Sequence, residues 1–75
     1  MNKHRREKIK NGKTLLAQAT ELIASARDEE ADVLENWPEN LQETSRYYDS
    51  EESVEILDET VDLLHEAQQC LEGKF

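Results

Sequence analysis

Three short patterns in this chain of 75 residues could support chemistry, and each lacks a part that the chemistry needs. Asp62-x-x-His65 has the spacing of the carboxylate–histidine pairs that bind iron in helical bundles. Such ligands must point into the bundle core, whereas the helical pattern places Asp62 and His65 on the polar side of their helix. We therefore predict no metal site and no cofactor.

The remaining two patterns are equally incomplete. Gly12-Lys13-Thr14 matches the end of a phosphate-binding loop, but Glu7 occupies the position of that motif's first Gly. Cys70 is the only thiol, and neither His is placed to activate it, so we expect a small buried apolar residue there. No Ser/His/Asp arrangement is present. The sequence therefore predicts that the protein is not an enzyme.

The charges are segregated along the chain, whose formal net charge is −9. Residues 1–13 hold six of the nine Lys and Arg residues, whereas residues 14–75 hold all the acidic residues except Glu7. This pattern predicts a basic N-terminal arm, partly helical, attached to a single acidic domain. An acidic domain attracts basic protein surfaces and repels nucleic acid, so direct binding to DNA or RNA is not expected. The alternative, a nucleic-acid binder, would use the basic residues of the arm, namely Lys3, Arg5, Arg6, Lys8 and Lys10.

Residues 14–36 have the apolar periodicity of an amphipathic helix. The apolar positions recur every three or four residues: Leu15, Leu16, Ala19, Leu22, Ile23, Ala26, Val33 and Leu34, with Ile9 on the same stripe. Glu30 falls inside this stripe, and a buried carboxylate needs hydrogen-bond donors. We expect those donors to come from the backbone of residues 38–43 or from Arg46.

Residues 50–72 predict a second helix, whose seam of apolar residues is interrupted by Gln68. The members of this predicted seam are Val54, Leu57, Val61, Leu64 and Leu71. Asp49 or Ser50 can cap the helix, and Asp49-x-x-Glu52 has the form of a capping box. Gly73 suits the end of the helix.

Pro38 should end the first helix near Asn36 and start a short turn over residues 38–43. Trp37 and Leu41 would then close the end of the helix pair, with Tyr47 or Tyr48 packing from the other side. Alternatively, Tyr47 and Tyr48 stay exposed and anchor a partner, because Tyr is enriched among residues that dominate binding energy.

The predicted fold is all-α, an antiparallel helical hairpin made of a long helix, a short turn at 38–43 and a second helix. Ile56, Leu63 and Cys70 widen the apolar arc of the second helix beyond what one neighbour covers. We expect these three residues to mediate dimerisation into a four-helix bundle. The alternative cover is the N-terminal arm folding back.

Carboxylates recur along the polar side of the second helix: Glu51, Glu52, Glu55, Asp58, Glu59, Asp62 and Glu66. A charged row of this kind can be merely a solvated surface. On a rigid helix it can also imitate the phosphates of DNA and occupy a basic groove of another protein.

The connection resembles that of small acidic helical proteins of phages and prophages. The similarity rests on Asp28-Glu29-Glu30 through Asn36, on Pro38-Glu39-Asn40-Leu41-Gln42 and on Ser45-Arg46, within an Asn-x-Pro-Glu-x-Leu-Gln layout. It covers roughly residues 15–72 and departs at Tyr47-Tyr48, where those proteins often have a Gly. The resemblance implies a phage-type accessory protein that acts on host or defence machinery in a bacterial cytosol.

These observations favour a cytoplasmic interaction protein that binds, and could inhibit, a bacterial protein. A single thiol, no signal peptide and no long apolar run agree with the cytosol. Residues 47 and 48 and the carboxylates of the second helix are the candidate partner-binding residues. The alternative is a self-assembling structural bundle with no other ligand.

Overall fold

The computed structural model describes residues 1–75 and contains two long helices joined by a short connection. Helix α1 comprises Lys3–Glu35 and helix α2 comprises Ser45–Glu72, with one turn of 3-10 helix at Glu39–Leu41 between them. The two helices pack against each other in opposite directions and form a rod of 60 × 15 × 15 Å. The predicted all-α helical hairpin is confirmed.

The basic residues at the N-terminus belong to α1 itself. The helix begins at Lys3, where the side-chain oxygen of Asn2 accepts a hydrogen bond from the backbone N–H of Arg5 at 2.9 Å. It continues through Gly12 without a break. Ile9 and Lys13 are half-buried, so this first part of the helix contacts the end of α2 rather than extending freely into solvent.

Helix α1 ends at Glu35, close to the position predicted from Pro38. The backbone N–H of Asn36 still donates to Asp32 at 3.1 Å, and the chain then becomes extended at Pro38, with φ −58° and ψ 135°. Proline lacks the N–H that a continuing helix would need. The bend therefore follows from the single proline of the chain.

The predicted start of α2 at Ser50 is wrong, because the helix begins at Ser45. Thr44 is the N-cap residue, and its hydroxyl accepts a hydrogen bond from the backbone N–H of Tyr47 at 3.3 Å. Asp49 and Glu52 lie inside the helix, so the predicted capping box does not form. Thr and Asp are both favourable caps. The earlier one is used because the 3-10 turn has already brought the chain back beside α1 at Thr44.

We use the term seam for the residues with which α1 and α2 face each other. On α1 the seam consists of Ile9, Lys13, Leu16, Thr20, Ile23, Arg27, Glu30 and Leu34, and on α2 of Tyr47, Ser50, Val54, Leu57, Val61, Leu64, Gln68 and Leu71. All of these residues are buried or half-buried, and they recur at the three- and four-residue steps of a coiled coil.

The five apolar seam residues predicted for α2 are confirmed. The stripe predicted for α1 is only partly correct, because Leu15, Leu22 and Val33 are exposed rather than facing α2.

The seam encloses little apolar volume. Only Val61, Thr20 and Ser50 are buried, with 2, 5 and 6% of their surfaces accessible. Glu30 lies opposite Ser50. Because the helices are antiparallel, moving ten residues back along α1 and eleven forward along α2 brings Thr20 opposite Val61. One fully buried aliphatic side chain contributes little hydrophobic stabilisation, and small folds without disulfides or metals usually need more.

Neither helix contains a stretch that is both long enough and apolar enough to span a bilayer.

Candidate functional site

The hairpin has two opposite broad faces, and a simple rule assigns residues to them. One step along a helix turns the side chain by 100°. Residues that directly precede seam residues therefore lie on one side, and residues that directly follow them lie on the other. Because α1 and α2 are antiparallel, the preceding residues of both helices share the same face of the hairpin, and so do the following residues.

The face made by the following residues is acidic. Helix α2 contributes Glu51, Glu55, Asp58 and Asp62, and α1 contributes Glu21, Asp28 and Glu35. We call these residues the acidic face. All seven side chains are exposed. The other three carboxylates predicted on α2, those of Glu52, Glu59 and Glu66, lie along its outer edge and are exposed as well.

One cation lies within the acidic face. The guanidinium of Arg27, a seam residue, is 3.1 Å from a carboxylate oxygen of Asp28 and 3.3 Å from one of Asp58. Arg27 therefore joins the two helices beneath the acidic face. The other carboxylates of this face have no ion pair within the chain and are available to an external cation.

Asp62 and His65 are both exposed on this side of the hairpin, as the periodicity predicted. No group of three or more His, Cys, Asp or Glu side chains is arranged to hold a metal ion.

The face made by the preceding residues is apolar along its middle and carries charged residues toward both ends. Its large members are Leu15 and Leu22 of α1, which are 65 and 71% exposed, and Ile56 and Leu63 of α2, which are 55 and 57% exposed. Ala19, Ala26 and Ala67 lie between them. We call these seven residues the apolar face. Ile56 and Leu63 therefore point away from α1, as their predicted role in self-association requires.

Cys70 lies on the same side as the apolar face, near its end, and its thiol is exposed. The prediction of a buried residue is wrong for the single chain, because Cys70 directly precedes the seam residue Leu71 instead of occupying the seam.

The contribution of α1 to this face was missing from the sequence prediction. Leu15 and Leu22 were assigned to the same stripe as Leu16 and Ile23, which is one residue further on. The seven-residue spacing of Leu15 and Leu22 could not separate them, because Leu16 and Ile23 are seven residues apart as well.

Aromatic residues close the bend, as predicted, but only some of them are covered. The ring of Tyr47 meets that of Trp37 edge to face with centroids 5.9 Å apart, and the indole N–H donates to the carbonyl of Leu41 at 3.0 Å. The side chain of Leu41 and the ring of Tyr48 are exposed. Of the two tyrosines proposed as partner anchors, only Tyr48 presents most of its ring to solvent.

Glu30 is tied to the other helix, but not by the predicted donors. Its carboxylate accepts a hydrogen bond from the hydroxyl of Ser50 on α2, not from the turn or from Arg46. The early start of α2 explains the difference, because it places Ser50 on the seam, directly opposite Glu30.

The two ends of the rod differ in charge. At the open end, where the chain begins and finishes, Arg6, Lys10, Lys13 and Lys74 line a shallow cleft with Ile9 and Phe75. At the bend end, the acids of residues 28–52 outnumber the single cation, Arg46. The rod therefore has a basic end and an acidic end.

Comparison of the chain with protein-family models, with curated proteins and with solved structures finds no match. The resemblance to phage proteins stays a prediction from the connection motif alone.

Proposed function

We propose that the protein is an interaction module that binds a basic groove of a bacterial protein through the carboxylates of α2. The observation that supports this proposal is the arrangement of Glu51, Glu55, Asp58 and Asp62 on one exposed side of a single rigid helix. Helical steps of three and four residues separate these carboxylates by roughly 5–6 Å. The resulting row carries a negative charge density of the same order as the phosphates of a nucleic-acid strand.

A groove that normally binds nucleic acid would accept such a row, and the bound protein would then be inhibited by competition. Long-range attraction between opposite charges accelerates this kind of association and makes it sensitive to salt. Tyr48, exposed on the same side at the bend end, adds one aromatic anchor to the carboxylates. The setting implied by the phage resemblance, a bacterial cytosol, is part of the proposal.

The test is affinity capture from bacterial lysate with two variants of equal net charge. In the first, Glu51, Glu55, Glu59 and Asp62 are replaced by Gln or Asn, and Asp58 is kept because it pairs with Arg27. In the control, four acids away from α2 are replaced in the same way: Glu7, Asp32, Glu39 and Glu43. We expect the first variant to lose a partner that the wild type and the control retain, and we expect added DNA or raised salt to release that partner.

Equal capture by both variants would contradict the proposal, because the row on α2 would then matter no more than acids elsewhere in the chain. Release by salt without release by DNA would leave protein binding in place but remove the imitation of nucleic acid.

A second candidate function is favoured by the exposed Ile56 and Leu63. In that case the chain is a self-assembling helix bundle, most simply a dimer of hairpins with four helices, and it has no other ligand. Its expected signature is a molecular mass that rises with protein concentration. Affinity capture from lysate should then retain no protein that salt releases. Self-association and partner binding are compatible, because they use opposite faces.

A further inference from the structure

The proposed self-association can be specified further, because the broad side of the hairpin that carries the apolar face has the size and the symmetry of an interface with itself. The rod measures 60 by 15 Å, so one broad face has a footprint of roughly 900 Å². Stable protein interfaces bury about 800 Å² per partner. A second hairpin laid along the face would therefore cover an area that is sufficient for a dimer.

The shape of the face also suits a helical partner. Leu15 and Leu22 on one helix, and Ile56 and Leu63 on the other, stand on either side of a row of small residues that includes Ala19 and Ala26. Small residues let two helices approach closely, and large ones then fill the spaces beside them.

The direction of the second copy follows from the charges that continue the apolar row of α1. Seven-residue steps through Leu15 and Leu22 lead to Lys8 on one side and to Glu29 on the other, and both side chains are exposed. The row Lys8, Leu15, Leu22, Glu29 becomes self-complementary when a second α1 runs in the opposite direction. Leu15 then meets Leu22 of the other copy, and Lys8 meets Glu29.

Helix α2 shares the apolar part of this symmetry, although its row continues to Asp49 and Cys70 rather than to a pair of opposite charges. Ile56 meets Leu63 of the other copy when the helices are related by an axis that passes between these two residues. From the pairing of Glu30 with Ser50, this midpoint lies within about one helical turn of the midpoint between Leu15 and Leu22. A single twofold axis can therefore serve both helices.

We propose that a second copy of this chain docks on the apolar face with its direction reversed, so that the basic open end of each copy lies beside the acidic bend end of the other. This inference rests on the self-association proposed above. A dimer whose two hairpins run in the same direction would bring like charges together at both ends, and their repulsion is unfavourable. The reversed arrangement leaves both acidic faces on the outside, available to a basic partner.

The first test measures the distance between the two bends. Asn40 is exposed in the connection and its side chain makes no hydrogen bond, so Asn40→Cys with Cys70→Ala gives one labelling site per chain. The Cys70→Ala variant alone must first sediment like the wild type, because Cys70 lies beside the apolar face. With 1.5 Å of rise per residue, reversed hairpins place spin labels at this site about 50 Å apart, whereas hairpins in the same direction place them less than about 25 Å apart. Electron–electron dipolar spectroscopy separates these values.

The sedimentation of the same labelled sample distinguishes the possible failures. A dimer with the long distance supports the proposal. A dimer with the short distance overturns the reversed direction but leaves self-association standing. A monomer at the concentration of the measurement overturns both.

A charge exchange provides a second test that does not depend on labels. Lys8→Glu alone, and Glu29→Lys alone, should each raise the dimer dissociation constant about 3- to 10-fold, because two rim pairs per dimer become repulsive. The double variant should return to the wild-type value. If the double variant stays as weak as the single variants, Lys8 does not meet Glu29 and the reversed direction is wrong.

Discussion

The polar residues of the seam distinguish this hairpin from a conventional helix pair. Ser50 is buried and donates to the carboxylate of Glu30, a half-buried group that no cation within the chain neutralises. A buried hydrogen bond to a charged group stabilises a fold more than a neutral one does, and removing its donor leaves the charge unsatisfied. The pair therefore fixes the register of the two helices near the bend.

Ser50→Ala should lower the free energy of unfolding by about 1–2 kcal/mol, because Glu30 loses its donor. Ser53→Ala, at an exposed position of the same helix, is the matched control and should change it by less than about 0.5 kcal/mol. Glu30→Gln should also cost little, because the amide oxygen can accept the same hydrogen bond. Urea unfolding at a fixed protein concentration measures all three, and equal effects of the two serine variants would show that the hydrogen bond is unimportant.

Gln68 differs from Ser50 and Glu30, because its side-chain oxygen is buried in the seam without a hydrogen-bond partner. It packs beside Leu16 and Leu71, so an apolar side chain of similar size fits the same space. Gln68→Leu should raise the free energy of unfolding by about 1 kcal/mol, because an unsatisfied polar group is replaced by apolar contact.

The control for that substitution is Gln69→Leu, which is exposed and should change stability by less than about 0.5 kcal/mol. A loss of stability in the Gln68 variant would mean that its amide has a partner, such as an ordered water, that matters for folding.

At the scale of the elements, the sequence offers one residue that can end α1 and two residues that can cap α2. Pro38 is unique, and the end of α1 could be predicted from it. Thr44 and Asp49 are both suitable caps for α2, and the choice between them depends on where the chain returns to α1 after the 3-10 turn. Local sequence contains no information about that return, so the predicted start of the helix was wrong.

Thr44→Ala should therefore lower the free energy of unfolding by about 1 kcal/mol through loss of the cap. Asp49→Ala, the alternative cap, should have a much smaller effect because Asp49 lies inside the helix. Thermal unfolding followed by circular dichroism makes this comparison. A larger loss from the Asp49 variant would place the start of α2 at the later position.

Adjacent apolar residues on α1 explain why the prediction placed Leu15 and Leu22 against α2, whereas the structure exposes them. Leu15 and Leu16, like Leu22 and Ile23, are adjacent apolar residues, and periodicity alone cannot say which member of each pair faces α2. The structure assigns Leu16 and Ile23 to the seam and leaves the other two exposed. Helix α2 has similar adjacent pairs, but Val54 and Val61 lie three and four residues from Leu57 and so identified its seam, and that prediction was correct.

For the molecule as a whole, the apolar face consists entirely of apolar residues, whereas the seam between the helices includes several polar ones. Thr20 and Ser50 are buried while Leu22 and Leu63 are exposed, an inversion of the usual preference. Large apolar side chains that are exposed on one side of a protein, as these are, often mark an interaction site. The carboxylates of the acidic face, on the other side, are exposed to water. The two faces together explain why so short a chain has an apolar pattern wider than one helix pair can use.

The most direct measurement is sedimentation equilibrium of three proteins: the wild type, the apolar-face variant Leu22→Gln with Leu63→Gln, and a control changed on the opposite side of the hairpin, Ala17→Gln with His65→Gln. The wild type and the control should sediment at twice the chain mass of 8.7 kDa, whereas the apolar-face variant should sediment as a monomer. A wild-type protein that stays monomeric at several hundred micromolar, or an apolar-face variant that dimerises as strongly as the wild type, would contradict the account.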